Sequence, residues 1–64
     1  MTLENIVDII AERDDLTIDE AIEIVNETKE MIDEALISGN YTEVEQIMLD
    51  QLGLEMDYVY AFID

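Results

Sequence analysis

The apolar residues of this chain recur at steps of three and four, which is the spacing of one face of an α-helix. The first run of such positions is Leu3, Ile6, Val7, Ile9 and Ile10. The pattern continues through most of the 64 residues without a proline, and it pauses at Gly39 and Gly53. Glycine readily takes the left-handed conformation that ends a helix. The sequence therefore predicts one all-α domain, a small single-domain bundle of three helices plus a short C-terminal helix.

Capping signals set the boundaries of these helices. The predicted helices cover about residues 3–13, 18–38, 41–52 and 56–63. Thr2 is a suitable N-cap for the first helix, and Thr17 with Glu20 has the spacing of a capping box for the second. The third helix has two candidate N-caps, Asn40 and Thr42, because each is followed by a glutamate three residues later.

The last segment allows two interpretations. Residues 58–63 are rich in strand-forming residues, but Tyr58, Ala61 and Phe62 also share a helical face with Leu54. A lone strand has no partner in a helical domain, so a short fourth helix is predicted. The alternative is a C-terminal strand that pairs with its copy in a dimer.

The charge is one-sided, with eighteen acidic residues against two basic ones and a formal net charge of −16. Such a surface repels nucleic acid and anionic membranes, so a charged partner is expected to be basic. The chain also lacks an apolar run of membrane-spanning length, and its first residues lack the positive charge of a secretory signal. A soluble, cytoplasmic protein is therefore expected.

The acidic residues of the second and first predicted helices fall into lines. The candidate partner-binding residues are the row Glu23, Glu27, Glu30 and Glu34, the flanking Asp19, Glu20 and Asp33, and a shorter row of Glu4, Asp8 and Glu12. Steps of three and four residues correspond to about 4.5–6 Å along a helix axis. Two such rows on neighbouring helices can present carboxylates as a duplex presents phosphates.

Two explanations of these rows stand side by side. The outward face of any amphipathic helix is polar, and a run of charge is usually a solvated surface. Stabilised surface helices, however, place lysine or arginine four residues after glutamate, whereas only Lys29 is basic in the second helix. Like charges at this spacing destabilise a helix, which favours an acidic surface that is used in binding.

Enzymatic chemistry is not expected. The chain has no histidine and no cysteine, so it lacks the common general base, the thiolate nucleophile and the usual ligands of transition metals. Paired carboxylates are numerous, but a bundle of this size has little interior in which to enclose a substrate. We therefore expect no catalytic residues, no cofactor and no dedicated metal site.

The short acidic chain, with its row of Glu23, Glu27, Glu30 and Glu34, resembles the small acidic DNA-mimic proteins of phages and mobile elements. This class includes anti-restriction and anti-CRISPR inhibitors, and the resemblance implies an inhibitor that occupies the cationic nucleic-acid-binding surface of a host or defence protein. The alternative function is a small helical interaction or dimerisation module. Its predicted interface is apolar and aromatic, formed by Tyr58, Tyr60 and Phe62, with a homodimer as one possible outcome.

Overall fold

The computed structural model describes residues 2–63, and the secondary structure in that range is entirely helical. The α-helices are α1 (Leu3–Arg13), α2 (Ile18–Ile37), α3 (Tyr41–Ile47) and α4 (Tyr60–Ile63), with a π-helical segment at Met48–Leu52 and a 3-10 turn at Met56–Val59. The prediction of an all-α bundle is confirmed. The alternative of a C-terminal strand is wrong, because 56–63 folds as the 3-10 turn followed by α4.

Side-chain caps begin the first three helices. The Thr2 hydroxyl accepts a hydrogen bond from the Asn5 amide at 3.3 Å. At the start of α2 the capping box is complete: the Glu20 amide donates to the Thr17 hydroxyl at 3.2 Å, and the Thr17 amide donates to the Glu20 carboxylate at 3.1 Å. Asn40, rather than Thr42, caps α3. These bonds satisfy backbone donors that have no partner within the helix.

Glycines end α2 and the π segment. Gly39 has φ of +73° and Gly53 has φ of +64°, in the left-handed region where other residues are strained. After the π segment, the Gly53 amide donates to the carbonyl of Leu49 at 3.0 Å and the next amide donates to that of Met48 at 3.3 Å. Both glycine stops that the sequence indicated are confirmed.

The core lies along a narrow seam of α2. The buried residues of this helix follow steps of four and three, and they are Ala21, Val25, Thr28, Ile32 and Ala35. Thr28 is the polar member, and its hydroxyl donates to the carbonyl of Ile24 at 2.8 Å. Helical spacing predicts that Ile18, Ile22 and Met31 share this buried face, but they are 52%, 41% and 37% exposed. The prediction is wrong because Ile18 is the first residue of α2, at the end of the seam, and Ile22 and Met31 lie to either side of it, where neighbouring helices do not cover them.

The end of the π segment is held by α1. The guanidinium of Arg13 donates to the carbonyls of Leu52 and Gly53, which are left without partners where the helix stops. A cation is also favoured at the negative end of a helix dipole. These hydrogen bonds join residues that are 39 and 40 positions apart in the sequence.

The 3-10 turn and α4 pack onto the bundle through some of their side chains. Val59, Ala61 and Phe62 are buried, and α4 contacts both α1 and α2. The described residues measure 33 × 18 × 16 Å along the principal axes. None of the helices within residues 2–63 has both the length and the apolar character of a membrane-spanning segment.

Candidate functional site

The most regular charged feature of the surface is the α2 row, which we define as Glu23, Glu27, Glu30 and Glu34. All four side chains are exposed, on the side of the helix away from the buried seam. From first to last the row extends about 16 Å at 1.5 Å per residue. The row is therefore accessible along its length to a partner that approaches α2.

The residues predicted to flank this row are less uniform. Asp19 is exposed, whereas Asp33 is half-buried and accepts a hydrogen bond from the Lys29 ammonium at 3.0 Å. Glu20 is exposed, but its carboxylate is part of the capping box, and the hydrogen bond from the Thr17 amide lowers its pKa. Of the three, only Asp19 has a carboxylate that makes no hydrogen bond with another described residue.

A second line, the α1 row, consists of Glu4, Asp8 and Glu12. These residues are four apart, and all three are exposed. The opposite face of α1 buries Ile6 and Ile10 against the rest of the bundle. Because α1 packs on α2, the two rows belong to adjacent helices of the bundle.

Both basic residues of the chain form ion pairs within the molecule. The Arg13 guanidinium lies 2.9 Å from the Asp14 carboxylate, and the Lys29 ammonium lies 3.0 Å from that of Asp33. The hydrogen bond between Arg13 and Asp14 raises the pKa of the arginine and lowers that of the aspartate. Within residues 2–63, no cation pairs with a carboxylate of either row.

The dimensions of the bundle give the negative charge per unit length along its long axis. Residues 2–63 contain all of the charged side chains except Asp64, so their formal charge is −15, and it is spread over a long axis of 33 Å. This is one negative charge for about every 2 Å, against about 1.7 Å of helix axis per charge in double-stranded DNA. The protein and the duplex are thus similar in charge per unit length.

The aromatic residues of the alternative interface separate into three environments. Tyr60 is 70% exposed, Tyr58 is half-buried against the core, and Phe62 is only 2% exposed. Phe62 therefore belongs to the core in this fold and offers no surface to a partner. The exposed part of the predicted aromatic interface is Tyr60 with the outer edge of Tyr58.

Other apolar side chains are exposed as well, namely Ile37, Tyr41, Leu49 and Ile63. Leu49 belongs to the π segment and is 51% exposed, whereas its neighbour Met48 is fully buried. Ile37 lies outside the four-three steps of the α2 seam, and this register is the signal that identifies it as exposed.

Carboxylates crowd the surface without forming a metal cage. Among residues 2–63, no three acidic side chains are placed to share one metal ion. Comparison of the chain with protein-family models, with curated proteins and with solved structures found no match.

Proposed function

We propose that this protein binds the cationic nucleic-acid-binding surface of a basic host or defence protein, with its carboxylate rows in the place of phosphates. The proposed contact residues are those of the α2 row and the α1 row, with Asp19 beside them. Binding of this kind inhibits the partner by occupying the site that nucleic acid needs. The proposed role involves no reaction of its own.

The observation that carries the proposal is the absence of counter-charge along exposed rows. Within the described residues, Lys29 and Arg13 are each paired with aspartates outside the rows. Each row therefore presents negative charge alone. A partner with a complementary positive surface would be attracted over about 10 Å at 0.1 M salt.

The cost of this arrangement to the helix supports a role in binding. Glu23 and Glu27, and likewise Glu30 and Glu34, stand four residues apart, a spacing at which like charges repel by about 0.2–0.5 kcal/mol. Replacing one residue of each pair by lysine would turn repulsion into attraction. A surface that serves solubility alone has no need of the unfavourable choice at successive turns.

The experiment is a binding screen against purified basic nucleic-acid-binding proteins, with the wild type and Glu23→Lys plus Glu27→Lys side by side. We expect at least one partner to bind the wild type and to lose affinity on charge reversal by about tenfold or more. The matched control is Glu45→Lys plus Glu55→Lys, which changes the net charge equally but lies outside both rows. Equal losses in the two variants would contradict a role of the rows.

A second function is favoured by one observation, the exposure of apolar side chains on α4. Tyr60 is 70% and Ile63 is 53% exposed, three residues apart on a helix that is otherwise buried. Tyrosine is enriched at protein interfaces. We propose as the alternative that this end of the bundle forms a homodimer or docks on another protein.

The dependence of binding on salt concentration distinguishes the two proposals. Apolar association persists or strengthens in 1 M NaCl, whereas charge-steered binding weakens. Sedimentation of the protein alone, with Tyr60→Ser as the variant, measures the apolar association. If the wild type stays monomeric at all concentrations and at both salt levels, homodimerisation is excluded.

A further inference from the structure

An open cavity lies where the C-terminal end of α2 meets the start of α3. Its volume is about 200 Å³, and it is lined by Met31, Glu34, Ala35, Ser38 and Glu43. Two of the lining residues, Met31 and Ala35, are apolar and one helical turn apart. The cavity adjoins the α2 row, because Glu34 is the last member of that row.

The two glutamates approach the cavity from different helices. Glu34 makes no hydrogen bond with another described side chain, and Glu43 is bound by the Asn40 amide group through Oε2 only, at 2.8 Å. No lysine or arginine pairs with either of them within residues 2–63. Free carboxylate oxygens therefore lie beside a floor in which Met31 is 37% exposed and Ala35 only 4% exposed.

Free carboxylates beside an apolar surface suit a long basic side chain. Arginine and lysine bury their alkyl stems against apolar surface while their charged ends stay among polar groups. The guanidinium of arginine has donors on several sides, so it can serve two carboxylates at once, and arginine is enriched at interfaces while lysine is depleted. A phosphate or a carboxylate ligand would be repelled from the same place.

We propose that this cavity receives an arginine side chain of the partner, with its stem on Met31 and Ala35 and its guanidinium between Glu34 and Glu43. The proposal rests on the proposed function in one respect, that the partner is basic. An arginine held there fixes the position of the partner on a surface that otherwise attracts it only through charge. Rows of carboxylates steer a partner, whereas a filled cavity orients it.

Small cations test the cavity without any partner protein. The probes are n-propylguanidinium, guanidinium and n-butylammonium, each titrated into the full chain while the methionine methyl signals are followed by NMR. We expect the Met31 methyl to shift and saturate with n-propylguanidinium, while that of Met48, which is fully buried, does not. A fully buried methylene strengthens binding by up to about fourfold, so a partly buried propyl stem predicts affinity about fivefold above that of guanidinium.

Two double variants that remove the same amount of charge test whether binding depends on the glutamates of the cavity. Glu34→Gln plus Glu43→Gln should reduce n-propylguanidinium binding to the level of guanidinium. Glu45→Gln plus Glu55→Gln, which removes two exposed charges elsewhere, should leave the preference for the propyl compound intact. A third variant, Ser38→Met, narrows the cavity without changing the charge, and it should weaken propylguanidinium more than guanidinium.

Three results would overturn the proposal. Equal affinity for guanidinium and n-propylguanidinium would show that the floor is not used. Equal loss in the two double variants would show general attraction to an acidic surface. Tighter binding of n-butylammonium would assign the cavity to lysine instead. None of these results depends on DNA-binding proteins, so failure here and failure of the proposed function remain distinct.

Discussion

Two regions of the chain, α2 and residues 48–63, are helical for different reasons. α2 has a complete capping box, a seam of buried residues at regular steps and a glycine stop, all within its own sequence. Residues 48–63 instead pass through a π segment, an extended link, a 3-10 turn and a short α4. The two regions also differ at the surface, because α2 presents a row of carboxylates whereas α4 presents Tyr60 and Ile63.

This difference shows which forces hold each region. Local hydrogen bonds and regular helical spacing mark both ends and the buried face of α2 within its own sequence. The C-terminal segment is too short to be stable alone, and it depends on burial of Phe62 and on the contact of Arg13 with the carbonyls of Leu52 and Gly53. Mutations should therefore separate a locally specified, charged region from a region specified by tertiary contacts.

The largest effect is expected at Phe62. Phe62→Ala removes a buried aromatic ring and should reduce the free energy of unfolding by about 3–5 kcal/mol. Tyr60→Ala, two residues away but exposed, should change it by less than about 0.5 kcal/mol. Urea denaturation followed by circular dichroism measures both. Similar losses in the two variants would mean that α4 packs differently from the structure.

The next effect concerns the contact between α1 and the π segment. Arg13→Met removes the hydrogen bonds to Leu52 and Gly53, and we expect a loss of about 1 kcal/mol because the guanidinium is partly solvated. Lys29→Met makes the same change of net charge but removes only the half-buried pair with Asp33 within α2, at a cost of about 0.3–0.5 kcal/mol. Amide hydrogen exchange should also increase in 48–63 for Arg13→Met alone. Equal exchange in the two variants would contradict the role of Arg13.

A gain of stability is expected from reversing one charge in the α2 row. Glu27→Lys changes two repulsive neighbours, Glu23 and Glu30, into attractive ones, so the free energy of unfolding should rise by up to about 1 kcal/mol at low salt. The gain should shrink in 1 M NaCl because the charges are exposed. Glu55→Lys is the control outside the rows. A destabilised Glu27→Lys variant would refute the repulsion within the row.

The smallest effect is a pH dependence at the start of α2. The hydrogen bond from the Thr17 amide lowers the pKa of Glu20 below its usual 4.5, so the charged form stabilises the fold above that pH. This contribution is lost as the pH falls through the lowered pKa. Glu20→Gln keeps a hydrogen-bonding side chain without the charge. The difference in melting temperature between wild type and variant should therefore be larger at pH 7 than at pH 3, and a constant difference would contradict the assignment.

The sequence predicted the parts of the fold that depend on neighbouring residues. The boundaries of α1, the capping box of Thr17 and Glu20, and the stops at Gly39 and Gly53 are local features, and all were predicted. The π segment was not, because apolar spacing does not distinguish a π turn from an α turn over five residues. The same limit explains why Ile22 was expected in the core, since spacing alone does not show how wide a face the neighbours cover.

The candidate surface could be predicted only in part. Helical spacing was enough to place Glu23, Glu27, Glu30 and Glu34 on one exposed face, because solvent-facing residues need no partner. Both ion pairs are local, because Lys29 pairs with Asp33 one turn further along α2 and Arg13 pairs with the next residue, Asp14. The cavity that Glu34 borders with Glu43 arises instead where two helices meet, and a single helical pattern carries no information about it.

We propose that the carboxylate rows occupy a site that otherwise holds phosphates, and competition with DNA tests this. Duplex or single-stranded DNA is added in increasing excess to the complex with a basic nucleic-acid-binding protein. We expect DNA to displace the protein in direct competition, and charge reversal at Glu23 and Glu27 to lower the amount of DNA required. A complex that DNA cannot displace, or that binds DNA and this protein at the same time, would contradict the proposal.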